Sequence, residues 1–409
     1  MSPQSLRWFY LSRELSKLGY KIDVLTIKMP ERFKELLDSI PETIKIHRTY
    51  PGPFYSLTFK YSPPPSPSTS PTKSSSLWST LSRIHYKIYK ALNFIFIPDI
   101  FVEWLPFSLQ KGLSLIKTNK YDLIISSSDP RVCHLAGYFL KKKSRIPWLA
   151  DYGDPWLYPI PAIAETKFKR YILKKIENRI LREMDAVIVT TEATKRLYLE
   201  QKPFLPEEKI SVITQGYDMN MYKDVQPEVS SKFRIVYCGS FYKKLRDPSA
   251  FFEAVKEIDN KDVEVIIAGR INEFAGIIKQ GGLHNKIQYL GFLSHRRCLE
   301  LQKGAAVLLN FGYRTGPQLP GKIYEYFGAG RPVLCIRGSD SDLSSDLTLG
   351  YNKGLVVSNN KKDIKEGILK LYDLWKEKLL ETHFNLEEVE DFTWHKHAER
   401  LSEIIERIC

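Results

Sequence analysis

From Arg234 onward, short apolar strands alternate with helical stretches, and nothing else in the chain limits its fold so strongly. Strands are expected at Arg234–Ser240, Val263–Arg270, Ile287–Phe292, Ala305–Phe311, Pro332–Gly338 and Gly354–Ser358. Helical spacing separates them at Pro248–Ile258, Glu273–Gln280, Ser294–Lys303, Lys322–Ala329 and Lys361–Leu374. A strand–helix–strand repeat predicts a parallel sheet covered on both faces. Ligands of such sheets bind beyond the carboxyl ends of the strands. The positions where three of these strands end are therefore expected at a binding edge: Gly239 and Ser240, Gly269 and Arg270, and Phe292.

The N-terminal half follows the same α/β grammar less regularly. Ser5–Leu18 reads as an amphipathic helix closed by Gly19, and Lys21–Ile27 as a strand. Later strands are expected at Tyr121–Ser127, Pro147–Tyr152, Ala186–Thr191 and Ile210–Thr214. A domain of this kind ordinarily opens with a strand and a glycine turn. Either the sequence lacks its start, then, or the domain dispenses with its first strand. At 409 residues the chain exceeds one ordinary core, so two domains are expected.

Tyr61–Ser76 (YSPPPSPSTSPTKSSS) cannot bury enough apolar surface to order itself and reads as a disordered insertion. Leu77–Ile97, which follows it, places Arg83, Lys87 and Lys90 among Trp78, Tyr86, Tyr89 and Phe94. That composition suits an interfacial segment, and equally an ordinary helix on the domain core. No apolar run is long enough to span a membrane, and the N-terminus lacks a signal-peptide layout. The five cysteines are scattered without CxxC spacing, so buried reduced thiols in a cytoplasmic protein are expected and no metal site is. The net charge of +14 suits phosphorylated substrates, an anionic membrane surface or nucleic acid, and equally a solvated lysine-rich surface. Charge is the only feature that favours nucleic acid, since no recognisable module is present.

Residues 316–335 (GPQLPGKIYEYFGAGRPVLC) are the most informative stretch for chemistry. A Gly/Pro loop leads into a short helix, with Pro320 suited to its first turn. The loop and the first helical amides, Gln318, Leu319, Pro320, Gly321 and Lys322, are expected to cradle a phosphate. Glu325, one turn on, is suited to accept ribose hydroxyl protons. Together these point to a nucleotide diphosphate carrying a sugar.

Several segments then resemble glycosyltransferase family 4, retaining enzymes of the GT-B fold with two facing Rossmann-like domains. IYEYFGAGRPVL resembles the helix that holds the donor nucleotide. DAVIVTTEATKRLY with ISVITQGYDMNMY resembles the last N-domain strand and the crossover, and IVYCGSFYKKLRDP the strand and basic loop opening the C-domain. IQYLGFLSHRRCLELQKGAAVLLN resembles a further C-domain unit, and LADYGDPW a strand end of a subgroup that reads DxRDPW. FTWHKHAERLSEIIERI resembles a helix returning to the N-domain. The resemblance implies an acceptor-side domain over 1–214, a donor domain over 215–393, and a return of 394–409 to the first domain.

Sugar transfer from a nucleotide diphosphate develops negative charge on the leaving group, and fixed positive groups aimed there stabilise it. The loop after Arg234–Ser240 supplies Lys243, Lys244 and Arg246. Arg246 is expected to contact the diphosphate, with Lys244 second. Ser240 stands where the family has an arginine, and Pro317 where it has the first acid of a Glu-x7-Glu pair; Glu325 is the second. Asp151, Asp154 and Trp156 are expected on the acceptor side, with Asp154 binding the acceptor or orienting the sugar. Gly153 stands where many members carry histidine. Arg7 and His134 are further acceptor-side candidates. The resemblance implies front-face attack without a protein nucleophile, no metal, and a glycan or lipid-linked acceptor.

Asp340 and Asp342 imitate a metal-binding DxD but lie in a loop after a C-domain strand, and His395 and His397 are two apart on a terminal helix and face different ways. Two other functions share the fold. A nucleotide-sugar epimerase would need an acid/base set that this histidine-poor N-terminal half hardly supplies. A degenerate binding scaffold would fit the missing first acid and missing histidine.

Overall fold

The computed structural model describes residues 3–28, 40–56, 96–157, 166–242, 245–271, 274, 276–277, 283, 285–314 and 316–409. The 61–76 insertion, nearly all of Leu77–Ile97, Lys243, Lys244 and most of the helix expected at Glu273–Gln280 lie outside the described residues. The chain divides into two compact units, one holding the chain up to Gln215 with Trp394–Cys409, the other holding Gly216–Thr393.

The first unit contains α1 (Pro3–Lys17), β1 (Ile22–Ile27), β2 (Ile44–Thr49), α2 (Leu105–Thr118), β3 (Ile124–Ser128), α3 (Val132–Ser144), β4 (Trp148–Tyr152), α4 (Lys167–Glu183), β5 (Ala186–Val189), α5 (Glu192–Gln201) and β6 (Ile210–Val212). β3, β4, β5 and β6 form a parallel four-stranded sheet in that order, and β1 pairs parallel with β2. β4 and β5 are buried at every position, as a sheet covered on both faces requires.

The second unit runs β7 (Phe233–Cys238), α6 (Ser249–Glu257), β8 (Val263–Ala268), β9 (Ile287–Gly291), α7 (His295–Lys303), β10 (Val307–Phe311), α8 (Lys322–Gly328), β11 (Val333–Ile336), α9 (Leu343–Gly350), β12 (Gly354–Val357), α10 (Lys361–Lys376) and α11 (Leu380–His383). Its six strands are all parallel, in the order β12-β11-β10-β7-β8-β9. Side chains alternate across the sheet, so each strand feeds two cores. Ile235, Ile267, Leu309 and Leu334 pack on one face, and Val236, Ile266, Leu308 and Val333 on the other. The sheet is thus α/β and doubly wound, as its strand spacing predicts.

The last helix, α12 (Trp394–Ile408), belongs to the first unit. Its apolar face (Trp394, Ala398, Leu401, Ile404, Ile405) packs with Leu11 and Leu15 of α1, and Tyr10 stacks on Trp394 at 5.7 Å. Burial of this stripe holds α12 in place, because an isolated helix of fifteen residues is marginal in water.

A buried polar cluster fixes α1 to the sheet. Arg7 and Asp151 pair at 3.3 Å with no solvent exposure on either side chain. Arg7 also donates to the carbonyls of Thr214 (2.5 Å) and Ile213 (2.9 Å). Asp151 accepts from Trp8 Nε1 (2.6 Å), Ser127 Oγ (3.1 Å) and Gln4. Removing one partner of such a pair leaves a buried charge uncompensated, at about 3–5 kcal/mol. Asp151→Ala should therefore destabilise the first unit by about that amount in urea unfolding. The double change Arg7→Met with Asp151→Leu should recover a large part of it.

Candidate functional site

In the second unit the chain winds outward from β7 in one direction and from β10 in the other, so these adjacent strands mark the switch point of the sheet. Glycine shapes the ends beside it. Gly269 sits at φ +123°, and a Cβ there would lie 2.0 Å from the Gly239 carbonyl oxygen, so the turns after β7 and β8 close on each other only without side chains. Beyond them Tyr242 and Arg246 form a short antiparallel bridge. Arg246 donates from Nη2 to the Tyr313 hydroxyl at 2.6 Å and lies 4.7 Å from the centre of that ring. Its Nε–H is buried and finds no partner among the described residues. A buried guanidinium donor left open is unusual and suits an anionic acceptor.

The helix expected from Lys322 is α8, whose N-cap is Gly321 with no side-chain cap, while Pro320 lies buried just before it. Glu325 on its first turn is held at both oxygens. Gln302 Nε2 donates to Oε1 at 2.6 Å and His295 Nε2 lies 3.1 Å from Oε2. Gln302 is fully buried and accepts from the Tyr222 hydroxyl at 2.5 Å, and that hydroxyl lies 3.2 Å from the Glu325 carbonyl oxygen. Burial would raise the Glu325 carboxyl, but the His295 bond, the Lys322 charge and the Gln302 bond outweigh it and bring it to about 2. The bond to Glu325 raises the His295 imidazole above its ordinary value. Lys322 acts electrostatically on both Glu325 and Tyr237, linking the two halves of the edge. Arg270 and Phe292 are exposed beyond β8 and β9, and Gln318 and Leu319 are half-buried.

In the first unit the acceptor-side candidates separate. Asp154 is exposed after β4. Asp151 and Arg7 are instead enclosed in the polar cluster described above, where they orient α1. His134 is fully buried, with Nδ1 2.7 Å from Ser126 Oγ and its ring stacked on Trp156, itself only 2% exposed. Burial lowers the His134 imidazole to about 3, so it is neutral. Arg7, Asp151, His134 and Trp156, expected on the acceptor side, are thus all buried within the first unit. A carboxylate and guanidinium that satisfy each other can be buried, and a neutral imidazole packs like any aromatic. The side chain that Gly153 lacks would fall on Gln4, whose amide fills that space.

Known families match this arrangement. Residues 92–221 match Glycosyltransferase Family 4, and residues 232–373 match Glycosyl transferases group 1. Each half of the chain thus matches a glycosyltransferase family model, and the α/β architecture is that of the GT-B fold. An uncharacterized glycosyltransferase of Methanocaldococcus jannaschii is 22% identical over 60% of this chain, which spans 64% of that relative's length. A glycosyltransferase structure from Rickettsia africae superposes with a TM-score of 0.66 at 15% identity, over 99% of this chain and 95% of that one. The Anabaena protein HepE in complex with UDP gives 0.60 at 15% identity, over 95% and 100%.

Within this GT-B chain, Glu325 and Arg246 share the strand-end edge of one sheet, whereas His295, Gln302, Tyr222 and Tyr313 escaped the sequence reading. His295 and Gln302 lie seven apart, two turns along one face of α7, a spacing that marks a shared face but does not point to Glu325. The DxD look-alike is a helix cap: Asp342 accepts from Ser344 N (3.1 Å) and Ser345 Oγ (2.7 Å) at the start of α9. His397 is buried against Thr214 and Gln215, and His395 is exposed toward Glu14 and Glu399.

The His295–Glu325 pair sets a pH window. The Glu325 contribution is present above the ordinary value of 4.5 and lost as pH falls through about 2. The His295 contribution is present below 6.5 and lost as pH rises through its higher folded value. NMR titration should find His295 titrating above 6.5, and Glu325→Gln should bring it back down.

Proposed function

We propose that the chain is a retaining, metal-independent glycosyltransferase that moves a hexose-type sugar from a nucleotide-diphosphate sugar to a glycan or lipid-linked acceptor, in the synthesis of cell-surface polysaccharide or glycolipid. The observation that carries this reading is the open, buried Nε–H of Arg246 at the switch point of the donor-side sheet. On the same edge, the Glu325 carboxylate is fixed at both oxygens yet retains lone pairs that can accept hydroxyl protons. Arg246 would stabilise the charge that develops on the leaving diphosphate, aided by Lys243 and Lys244 of the same loop. Glu325 would take the ribose hydroxyls. The leaving phosphate would then accept the acceptor's proton on the face of attack, with Asp154 orienting sugar or acceptor.

Thermal-shift measurements with UDP, GDP and ADP test this. At least one should raise the melting temperature, and Glu325→Ala and Arg246→Ala should each weaken that ligand by about tenfold or more, the scale of a charge-assisted hydrogen bond. No stabilisation by any nucleotide diphosphate or nucleotide sugar would refute the reading. Products formed without acceptor would identify an epimerase instead.

An anionic membrane surface suits the outer face of α4. Phe168 and Tyr171 are 71% and 56% exposed there, among exposed Lys167, Arg170, Lys174 and Lys175. Aromatic rings among cations favour an anionic lipid interface. Lys141 and Lys142 of α3 contribute less, being paired with Asp185 and Glu183. No described helix is long and apolar enough to cross a membrane. Sedimentation with phosphatidylserine vesicles should exceed that with phosphatidylcholine vesicles, and Phe168→Ser with Tyr171→Ser should abolish the difference.

A further inference from the structure

Beneath the Glu325 edge two cysteines meet. Cys238 is the last residue of β7 and is 1% exposed. Cys298 is the fourth residue of the nine-residue helix α7 and is half-buried. Cys238 Sγ donates to the Cys298 carbonyl oxygen at 3.9 Å. Both side chains belong to one packed cluster of the second unit, and neither is in a disulfide.

The surroundings of Cys298 differ from those of the other cysteines. It lies in the first turn of a helix, at the positive end of the helix dipole. The groups facing it are Cys238 of β7, His295 of its own helix, and Lys322 and Glu325 of α8. The Cys238 hydrogen bond works against burial, the Lys322 and His295 charges assist it, Glu325 opposes it, and the thiol is brought down to about 7. Burial moves the others the opposite way, Cys335 to about 11 and Cys133 higher still. Thiols in such electropositive, partly open places are the nucleophilic ones.

We propose that Cys298 and Cys238 are a reactive thiol pair, with Cys298 the nucleophile toward hydrogen peroxide and Cys238 the resolving thiol. The Cys298 thiolate attacks one peroxide oxygen, the O–O bond breaks, and a sulfenic acid forms as hydroxide leaves and takes up the proton the thiol had lost, giving one water. The Cys238 thiol then attacks that sulfur, forming the S–S bond and releasing a second water. Two thiols lose two electrons and the peroxide gains them. The bond would tie the first turn of α7, which carries His295, to the end of β7. Any consequence for donor binding rests on the nucleotide reading above; the thiol chemistry does not.

The test uses the full chain with Cys409→Ser, which removes the exposed cysteine. Peroxide treatment and peptide mass spectrometry should find Cys238 and Cys298 linked, two hydrogens lighter and reversible by dithiothreitol. Without peroxide, iodoacetamide should alkylate Cys298 about tenfold faster than Cys133 or Cys335. No linked peptide, with Cys298 alkylated no faster than the buried cysteines, would overturn the proposal. In Cys238→Ser, dimedone should trap a sulfenic acid on Cys298, and absence of the adduct would also overturn it. Saturating UDP should slow alkylation of Cys298. Unchanged alkylation, with the link still forming, would count against the nucleotide site and leave the thiol pair standing.

Discussion

Parallel pairing is the constraint on which the second unit depends. Each strand must enter the sheet from the same side, so every strand of the unit delivers its carboxyl end to one edge. Loops that are far apart in sequence therefore converge there. The turn after β7 brings Arg246, the loop after β10 brings Tyr313 and then α8 with Glu325, and the helix after β9 brings His295 and Gln302. None of these residues needs a neighbour in sequence to find its partner in space. Gly269 enforces the convergence locally, because a methyl group there would collide with the Gly239 carbonyl.

The same edge has a division of electrostatic labour. Arg246 rests against two tyrosine hydroxyls, neutral groups that orient a guanidinium without neutralising it. Glu325 is paired with an imidazole and an amide, which hold it charged and turned in one direction. The edge thus carries one cation left uncompensated and one carboxylate already compensated.

Much of this was legible in the sequence. Apolar runs bounded by Gly and Pro placed the strands of the second unit to within a residue or two, because strands buried on both faces leave an unbroken apolar signature. Glu325 was legible because its helix follows a Gly/Pro loop. What escaped was pairing. Charged residues at a helix start and a strand end, such as Arg7 and Asp151, read as exposed unless their partner is known, and here the partners lie 144 residues apart. His295 and Gln302 face Glu325 only because a strand and a loop intervene to bring α8 alongside α7. β2 escaped too, although its alternation of isoleucine with lysine and histidine is the pattern of a half-buried strand.

The route of the chain between the units gives them unequal independence. The backbone leaves the first unit after Gln215 and re-enters it at Trp394, and inside the second unit Tyr217 and Thr393 lie side by side in a bridge, with Tyr217 N bonded to the Phe392 carbonyl at 3.0 Å. The second unit is in effect a module inserted at one point, its two ends held together like the base of a loop. It can be exchanged as a single cassette without breaking any strand order. The first unit is closed only when α12 has been made, so during synthesis the six-stranded sheet can be complete before the other core receives that helix.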